Sequence, residues 1–216
     1  HPNARILVLE KSAEFSRRVG ESTSEVAGCF LTRVLGLSNY LGREHFPKHG
    51  LRLWFNEEGN QDPASCSEIG PMSQTRLPTY QLDRSQLDQH LLDLAATEGC
   101  EVVREAKVLD LHLGGAGENT VRYCKDGEDV AVRAGWVADC SGRVSLIARQ
   151  RGTMEANEAH PVHSMWVRFQ NVRSLDSDAV FREAPFLREN SLVGRGSATN
   201  HLMGHGWWSW VIPLAN

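Results

Sequence analysis

Three tryptophans fall within four positions, Trp207, Trp208 and Trp210, in a chain that holds six in all. An indole is bulky and needs a partner for its N–H when buried, so crowding three together has a purpose in packing or in chemistry. On an extended strand Trp208 and Trp210 stand on one face, with Ser209 on the other. Two indoles side by side make a rigid wall, a pattern that serves a site boundary or a Trp-rich core strand. At the other end of the chain, Glu10 closes the apolar run "ARILVLEK". In a dinucleotide-binding sheet an acid at such a strand end accepts hydrogen bonds from a ribose hydroxyl pair. Acids also end strands simply to be solvated.

Other reactive side chains are plentiful but unorganised. The histidines (1, 45, 49, 90, 112, 160, 163, 201 and 205) show no H-x-x-x-H spacing and no carboxylate at ligand distance in sequence. "HPVH" at 160–163 comes nearest, on a loop expected to enter a strand. Ordinary solvated or hydrogen-bonded histidines are expected, and no metal centre. Five scattered cysteines contain no C-x-x-C pair, which reads as reduced thiols in a cytoplasmic protein. "CSG" at 140–142 lacks the G-x-S-x-G elbow of a serine hydrolase. A net charge of −4 argues against nucleic acid as the main partner. No apolar run reaches membrane-spanning length, and nothing near the start has the form of a signal peptide.

Alternating strands and helices must position these groups. "ARILVLE" is expected to be a buried parallel strand. "SEVAGCFLTRVLGL" reads as a helix with Val26, Phe30, Val34 and Leu37 on its apolar face. "LRLWFNE" alternates as a strand does, and a polar loop follows over 58–74. "DRSQLDQHLLDLAATEG" carries an N-cap acid, Asp83, a stripe of Leu87, Leu91 and Leu94, and a stop at Gly99. "EVVREAKVLDLHL" and "NTVRYCKDGEDVAVRAG" read as strands, the second a hairpin turning at Asp126-Gly127. "WVADCSG" reads as a further apolar strand entering a glycine turn, in one sheet with "ARILVLE".

This order suggests an α/β dinucleotide-binding sheet. Its G-x-G-x-x-G companion belongs about 20 residues before the acid, whereas Glu10 has nine residues before it. "GGAG" at 114–117 lies between hairpin strands and opens no helix. The reading therefore expects an internal segment whose glycine loop lies upstream.

Several stretches in this order resemble the FAD-dependent monooxygenase and flavin-dependent halogenase superfamily, with its p-hydroxybenzoate-hydroxylase-like fold. They are "ILVLEK", "RRVGES" (17–22), "YQLDRSQLDQHLL" (80–92), "VADCSGRVSLIAR" (137–149), "SATNHLMG" (197–204) and Trp208-Ser209-Trp210-Val211-Ile212-Pro213. The last fits W-x-W-x-I-P, the halogenase motif. The resemblance implies an α/β FAD-binding, Rossmann-like sheet interleaved with a β-rich substrate layer. FAD-binding parts are expected at 1–36 and 81–150, and substrate-binding parts at 37–80 and 151–216.

It also implies roles. Glu10 binds the adenosine ribose of FAD. Lys11, Arg18, Gly20, Glu21 and Ser22 lie near the cofactor, and Arg84, Asp139 and Gly142 line its path. Trp208 and Trp210, with Ile212 and Pro213, keep organic substrate away from the reactive flavin. Lys48, in "FPKHGLRLWF", stands where the family carries the lysine that receives hypohalous acid and presents electrophilic halogen to an aromatic substrate. That chemistry wants an amine in a dry pocket, where burial lowers its pKa; a solvated loop lysine is the plain alternative. Halide, and a separate flavin reductase, would be the partners. One departure stands out: tryptophan halogenases read "GEAT" followed by proline, whereas this chain reads "GESTSE". It points away from free tryptophan and towards phenolic, pyrrolic or carrier-bound aromatics, or a different oxidation. A family glutamate that assists substrate deprotonation, and a third cofactor motif, are expected downstream. The competing readings are an FAD monooxygenase or reductase without halide chemistry, and an incomplete, non-catalytic fragment.

Overall fold

The Asp126-Gly127 step turns the chain as its residue types require. Both residues take left-handed backbone angles (φ 53° and 84°), the geometry of a two-residue type I′ hairpin. The turn joins β8 (Asn119–Lys125) to β9 (Glu128–Ala134), and β8 also pairs with β7 (Lys107–Leu113) in a three-stranded antiparallel sheet. Val121 and Tyr123 of β8 and Leu111 of β7 are its buried residues.

The computed structural model describes residues 4–56, 65–176 and 193–215. It divides into two compact units: His1–Phe15 with Asp88–Trp166, and Ser16–Leu87 with Val167–Asn216. The fold is mixed α/β, as expected.

In the first unit β1 (Leu7–Glu10) runs parallel to β6 (Glu101–Arg104), from Leu7↔Glu101 to Glu10↔Arg104. Helix α3 (Arg84–Thr97) leads into β6, and its residues from Asp88 onward belong to this unit. Asp83 caps its start, accepting from the Ser85 N–H at 3.0 Å, and Gly99 ends it at φ 94°. Arg104 ties the unit together: Nη1 donates to Gln89 Oε1 at 2.7 Å and its guanidinium lies 4.9 Å from the Phe15 ring centre.

The expectation for "WVADC" fails. Residues 136–140 form no strand; the chain runs irregularly into a 3₁₀ turn (Gly142–Val144) and α4 (Leu146–Gln150), and Trp136 is 95 % exposed. An apolar run becomes a strand only when a neighbour supplies a hydrogen-bonding edge, and among the described residues none pairs with it.

The second unit is built on a four-stranded sheet in the order β11-β10-β3-β4: Trp207–Val211, Thr199–Gly204, Leu51–Phe55 and Ser67–Ile69. The strand β4 lies inside the stretch expected to be loop, of which 58–64 fall outside the described residues. β10 runs parallel to β3 and antiparallel to β11. A second pair, β2 (Phe46–Pro47) and β5 (Tyr80–Gln81), is antiparallel. The core holds Leu31, Leu37, Leu41, Trp54, Leu82 and Ala198.

Buried charge threads this core. Glu68 accepts from Arg52 Nη1 at 2.6 Å and from Arg195 Nη2 at 2.7 Å, with all three residues nearly inaccessible. Arg195 also lies 5.2 Å from the Trp54 ring centre, and Arg52 donates to the Val193 carbonyl at 2.7 Å. Such a cluster persists only when its charges are paired in good geometry and further hydrogen bonds offset the cost of burying them.

The helix at 25–34 forms, but with a different face inward. α1 (Glu25–Cys29) passes into a π-helical turn (Phe30–Val34), and Val26, Phe30 and Val34 are exposed while Gly28 and Leu31 are buried; of the expected stripe Leu37, past the π turn, is buried as expected. The π turn breaks the 3.6-residue repeat on which the expected stripe rested. Close approach chooses the face: a Cβ on Gly28 would lie 1.8 Å from the Pro78 carbonyl oxygen. α2 (Ser38–Glu44) follows, burying Leu41.

"HPVH" lies on exposed, irregular chain and enters no strand. Among the described residues no histidine, cysteine or acid cluster could hold a metal ion, and no helix is long and apolar enough to cross a membrane.

Candidate functional site

In the second unit, residues 79–82 are flanked on both sides by short extended segments. On one side the Thr23 N–H donates to the Tyr80 carbonyl at 3.0 Å and the Leu82 N–H to the Glu21 carbonyl at 2.6 Å. These bonds set Ser22 opposite Gln81. On the other side Phe46 faces Gln81, Pro47 faces Tyr80, and the Lys48 N–H donates to the Thr79 carbonyl at 2.9 Å. The next residues of the lysine segment join the sheet strand: His49 N–H donates to the Ser197 carbonyl at 2.6 Å, and Thr199 N–H to the Gly50 carbonyl at 3.2 Å. Gly50 allows this bend with φ 85°.

Lys48 is only 7 % exposed. Its Nζ donates to the Thr23 carbonyl at 2.6 Å, and Thr79 Oγ1 donates to the Lys48 carbonyl at 2.5 Å. Burial disfavours the ammonium and pulls its pKa below the ordinary lysine range; the charge of Glu25 opposes that in part. This is a dry, oriented amine rather than a solvated loop lysine.

A chain of polar side chains lies on the same short segments. Ser22 Oγ and Thr199 Oγ1 are 2.8 Å apart, and Thr199 Oγ1 donates to Gln81 Oε1 at 3.2 Å. Thr199 thus spends its one proton on Gln81, so Ser22 is the donor to Thr199. Gln81 is fully buried, and its Nε2 has no hydrogen-bond partner among the described residues. Next to Thr199, Asn200 accepts from Trp54 Nε1 at 3.1 Å and donates to the Arg195 and Ala198 carbonyls, fixing where β10 begins.

β11 carries the tryptophans as an edge strand. Trp208 and Trp210 share a face with ring centres 6.3 Å apart, each about half exposed. Trp207 takes the other face and packs over Gly204, where its indole fills the space a Cβ would need. Ile212 and Pro213 follow β11 and are half-buried. Across the strand pair, His201 stands opposite Trp210 with ring centres 5.6 Å apart. Burial first, and the Lys48 charge second, hold the His201 imidazole below its usual pKa.

The remaining predicted residues divide between the units. In the second, Gly20 has φ 101° and sits beside Arg84, whose Nη1 would lie 3.0 Å from a Cβ there; Arg84 Nη1 also points to the Val19 carbonyl at 3.4 Å. Burial raises the Glu21 carboxyl above the ordinary range, with Arg168 opposing. Arg168 pairs with Asp83 at 2.8 Å. Arg18 is half-buried nearby in sequence. In the first unit Glu10 Oε1 accepts from the Ser12 N–H at 2.8 Å, which orients the carboxylate past the end of β1, and Lys11 is exposed. Asp139 accepts from the Ser141 and Ile147 N–H groups at 2.9 Å each, bonds that hold its carboxyl below the usual range. Gly142 takes φ 63° in the turn that follows.

Sequence reasoning named Lys48 and Ser22 but missed Thr23, Thr79, Gln81, Thr199 and His201, which surround them. The signal was present in the quoted "SATNHLMG" and "YQLDR" stretches. It had no residue-level meaning until the strand pairing was known.

A family model described as "FAD binding domain" matches residues 4–212. A flavin-dependent halogenase of Dictyostelium discoideum, chlA, is 24 % identical over 238 residues, covering 98 % of this chain and 38 % of that protein. Among solved structures, halogenase PltM in complex with phloroglucinol and FAD matches with a TM-score of 0.71 at 18 % identity, covering 98 % of this chain and 44 % of that one. The flavin-dependent halogenase CmlS matches with a TM-score of 0.67 at 20 % identity, over 99 % of this chain and 36 % of that one. The chain thus spans well under half the length of these relatives.

Proposed function

The chain belongs to the FAD binding domain family, and on that premise we propose that it is part of a flavin-dependent halogenase acting on an aromatic substrate. The observation that carries this reading is Lys48: a buried amine, held on the Thr23 carbonyl, in the same unit as the paired indoles of Trp208 and Trp210.

The residues fit the cofactor. Glu10, oriented by Ser12, has the geometry of a ribose acceptor at a strand end. Gly20 leaves room beside Arg84 that a Cβ would fill. In this proposal Glu10 and Lys11 meet the adenosine end, Asp139 and Gly142 shape the turn in their unit, and Arg18, Gly20, Glu21, Ser22 and Arg84 do so in theirs. FAD, when bound and reduced, supplies the oxygen-activating chemistry that turns halide into hypohalous acid.

Lys48 then holds hypohalous acid by hydrogen bonding and sets its halogen against the acceptor carbon. The O–halogen bond of hypohalous acid breaks as the C–halogen bond forms, its hydroxide and the ring proton leave together as water, and positioning supplies the rate gain. The indoles of Trp208 and Trp210 exclude the organic substrate from the oxidant's source. "GESTSE" in place of "GEAT"-proline favours a phenolic, pyrrolic or carrier-bound substrate. The phloroglucinol bound by PltM is phenolic, which supports that choice. A separate reductase would supply reduced flavin, in the cytoplasm.

Lys48→Ala in the FAD-loaded protein tests the reading. Oxidation of FADH2 by oxygen is expected to continue while halogenated product disappears. Normal halogenation in that variant would remove Lys48 from the reaction, and purely hydroxylated product from the wild type would replace the halogenase with an FAD monooxygenase.

A further inference from the structure

His201 has no role in the proposal above, yet it joins the two features that carry it. Its ring packs against Trp210, its direct cross-strand partner, at 5.6 Å. The start of its strand and the turn before it are bound to the lysine segment: the Ser197 carbonyl accepts from the His49 N–H, and the Thr199 N–H donates to the Gly50 carbonyl. Thr199, two residues away on the same face of β10, is tied to Ser22 and Gln81.

We propose that His201 is a positioning residue that works as a neutral imidazole, holding the Trp210 indole in place and sparing the Lys48 amine a second positive charge. The inference rests on the halogenase reading and deepens it, adding a residue that connects the amine to the tryptophan wall.

The charge balance supports the neutral form. An imidazolium would gain from the face of Trp210. Against this stand the burial of His201 and the charge of Lys48, which together push its pKa down. Among the described residues the charged group acting on His201 is Lys48, and the one acting on Lys48 is Glu25. At neutral pH the pair is one amine and one uncharged ring. Acidification through the lowered His201 pKa puts two positive charges into a half-buried site, where they repel one another.

Two measurements test this. In the first, histidine Cε1–H resonances of the full chain are followed by NMR against pH. His201 is expected to titrate below the ordinary histidine value, and to rise in Lys48→Met through the loss of one nearby positive charge. An unchanged titration in Lys48→Met overturns the coupling. In the second, halogenated product per FADH2 consumed is measured from pH 5 to 8 in the FAD-loaded protein. The wild type is expected to lose yield on the acid side. H201A should lose yield several-fold at every pH. H201F, which restores a ring against Trp210 but cannot titrate, should recover much of it and show no acid limb. An acid limb that survives in H201F overturns the role. If the wild type makes no halogenated product at all, the halogenase reading fails, while the NMR titration still decides whether His201 and Lys48 are coupled.

Discussion

Lys48 Nζ donates to the carbonyl oxygen of Thr23 at 2.6 Å, and so lashes the loop before β3 to the segment that follows Gly20. The bond crosses beside Tyr80, whose N–H and carbonyl are both engaged by Thr23. A lysine buried this way works against its own charge. Its folded pKa lies below the unfolded value, so the unfolded chain binds the proton more readily. The resulting penalty is full at neutral pH and is relieved as pH rises towards about 10.4, the unfolded lysine value. The difference in unfolding free energy between wild type and Lys48→Met is therefore expected to move in favour of the wild type as pH rises from neutral towards about 10.4. Urea melts at several pH values check this; a pH-independent difference would contradict it.

Asp83 shows the opposite sign. Burial pushes its carboxyl up, but hydrogen bonds from Ser85 and the Arg168 guanidinium outweigh this and hold it below the usual range. Its contribution is present above the unfolded value of about 3.9 and disappears as pH falls through the folded one. Asp83→Ala should cost about 1–2 kcal/mol at pH 7, through loss of the α3 cap. Asp83→Asn, which keeps a capping oxygen, should cost less. Both differences should shrink in melts near pH 3.

Glu68 sits between two guanidiniums with its side chain 1 % exposed. Glu68→Gln leaves both arginines buried without their countercharge and should destabilise by about 3–5 kcal/mol. The exposed Arg122–Asp129 pair, at 3.0 Å, provides the contrast: Asp129→Asn should stay within roughly 0.5 kcal/mol. Equal effects in denaturant melts would refute the distinction.

Glu10→Ala is expected to weaken FAD binding. A hydrogen bond to a charged acceptor is worth about 1.5–3 kcal/mol, or roughly a 10- to 150-fold rise in Kd. Fluorescence titration of the complete protein with FAD measures this, and an unchanged Kd would remove Glu10 from the cofactor site.

Local chemistry in the sequence determined the elements whose signals are self-contained. Asp126-Gly127 demands left-handed angles and therefore makes a hairpin wherever strands flank it. Asp83 and Gly99 bracket α3 because a cap and a stop act within a few residues of themselves. The alternation of Trp208 and Trp210 fixed their common face, since a strand repeats every two residues. Motif order was legible too, and with it the family.

Tertiary structure decided the rest. "WVADC" is as apolar as a strand should be, yet pairing needs a partner edge, which no run of residues can state about itself. The face of the helix at 25–34 was settled by Gly28 meeting the Pro78 carbonyl and by a π turn, neither of which a 3.6-residue pattern registers. Lys48 stood out in sequence only through resemblance. Whether it was dry or solvated depended on Thr23 and Thr79, 25 and 31 residues away, folding over it. Burial, and with it the pKa of an amine, belongs to the packed chain because it is set by neighbours that sequence distance conceals.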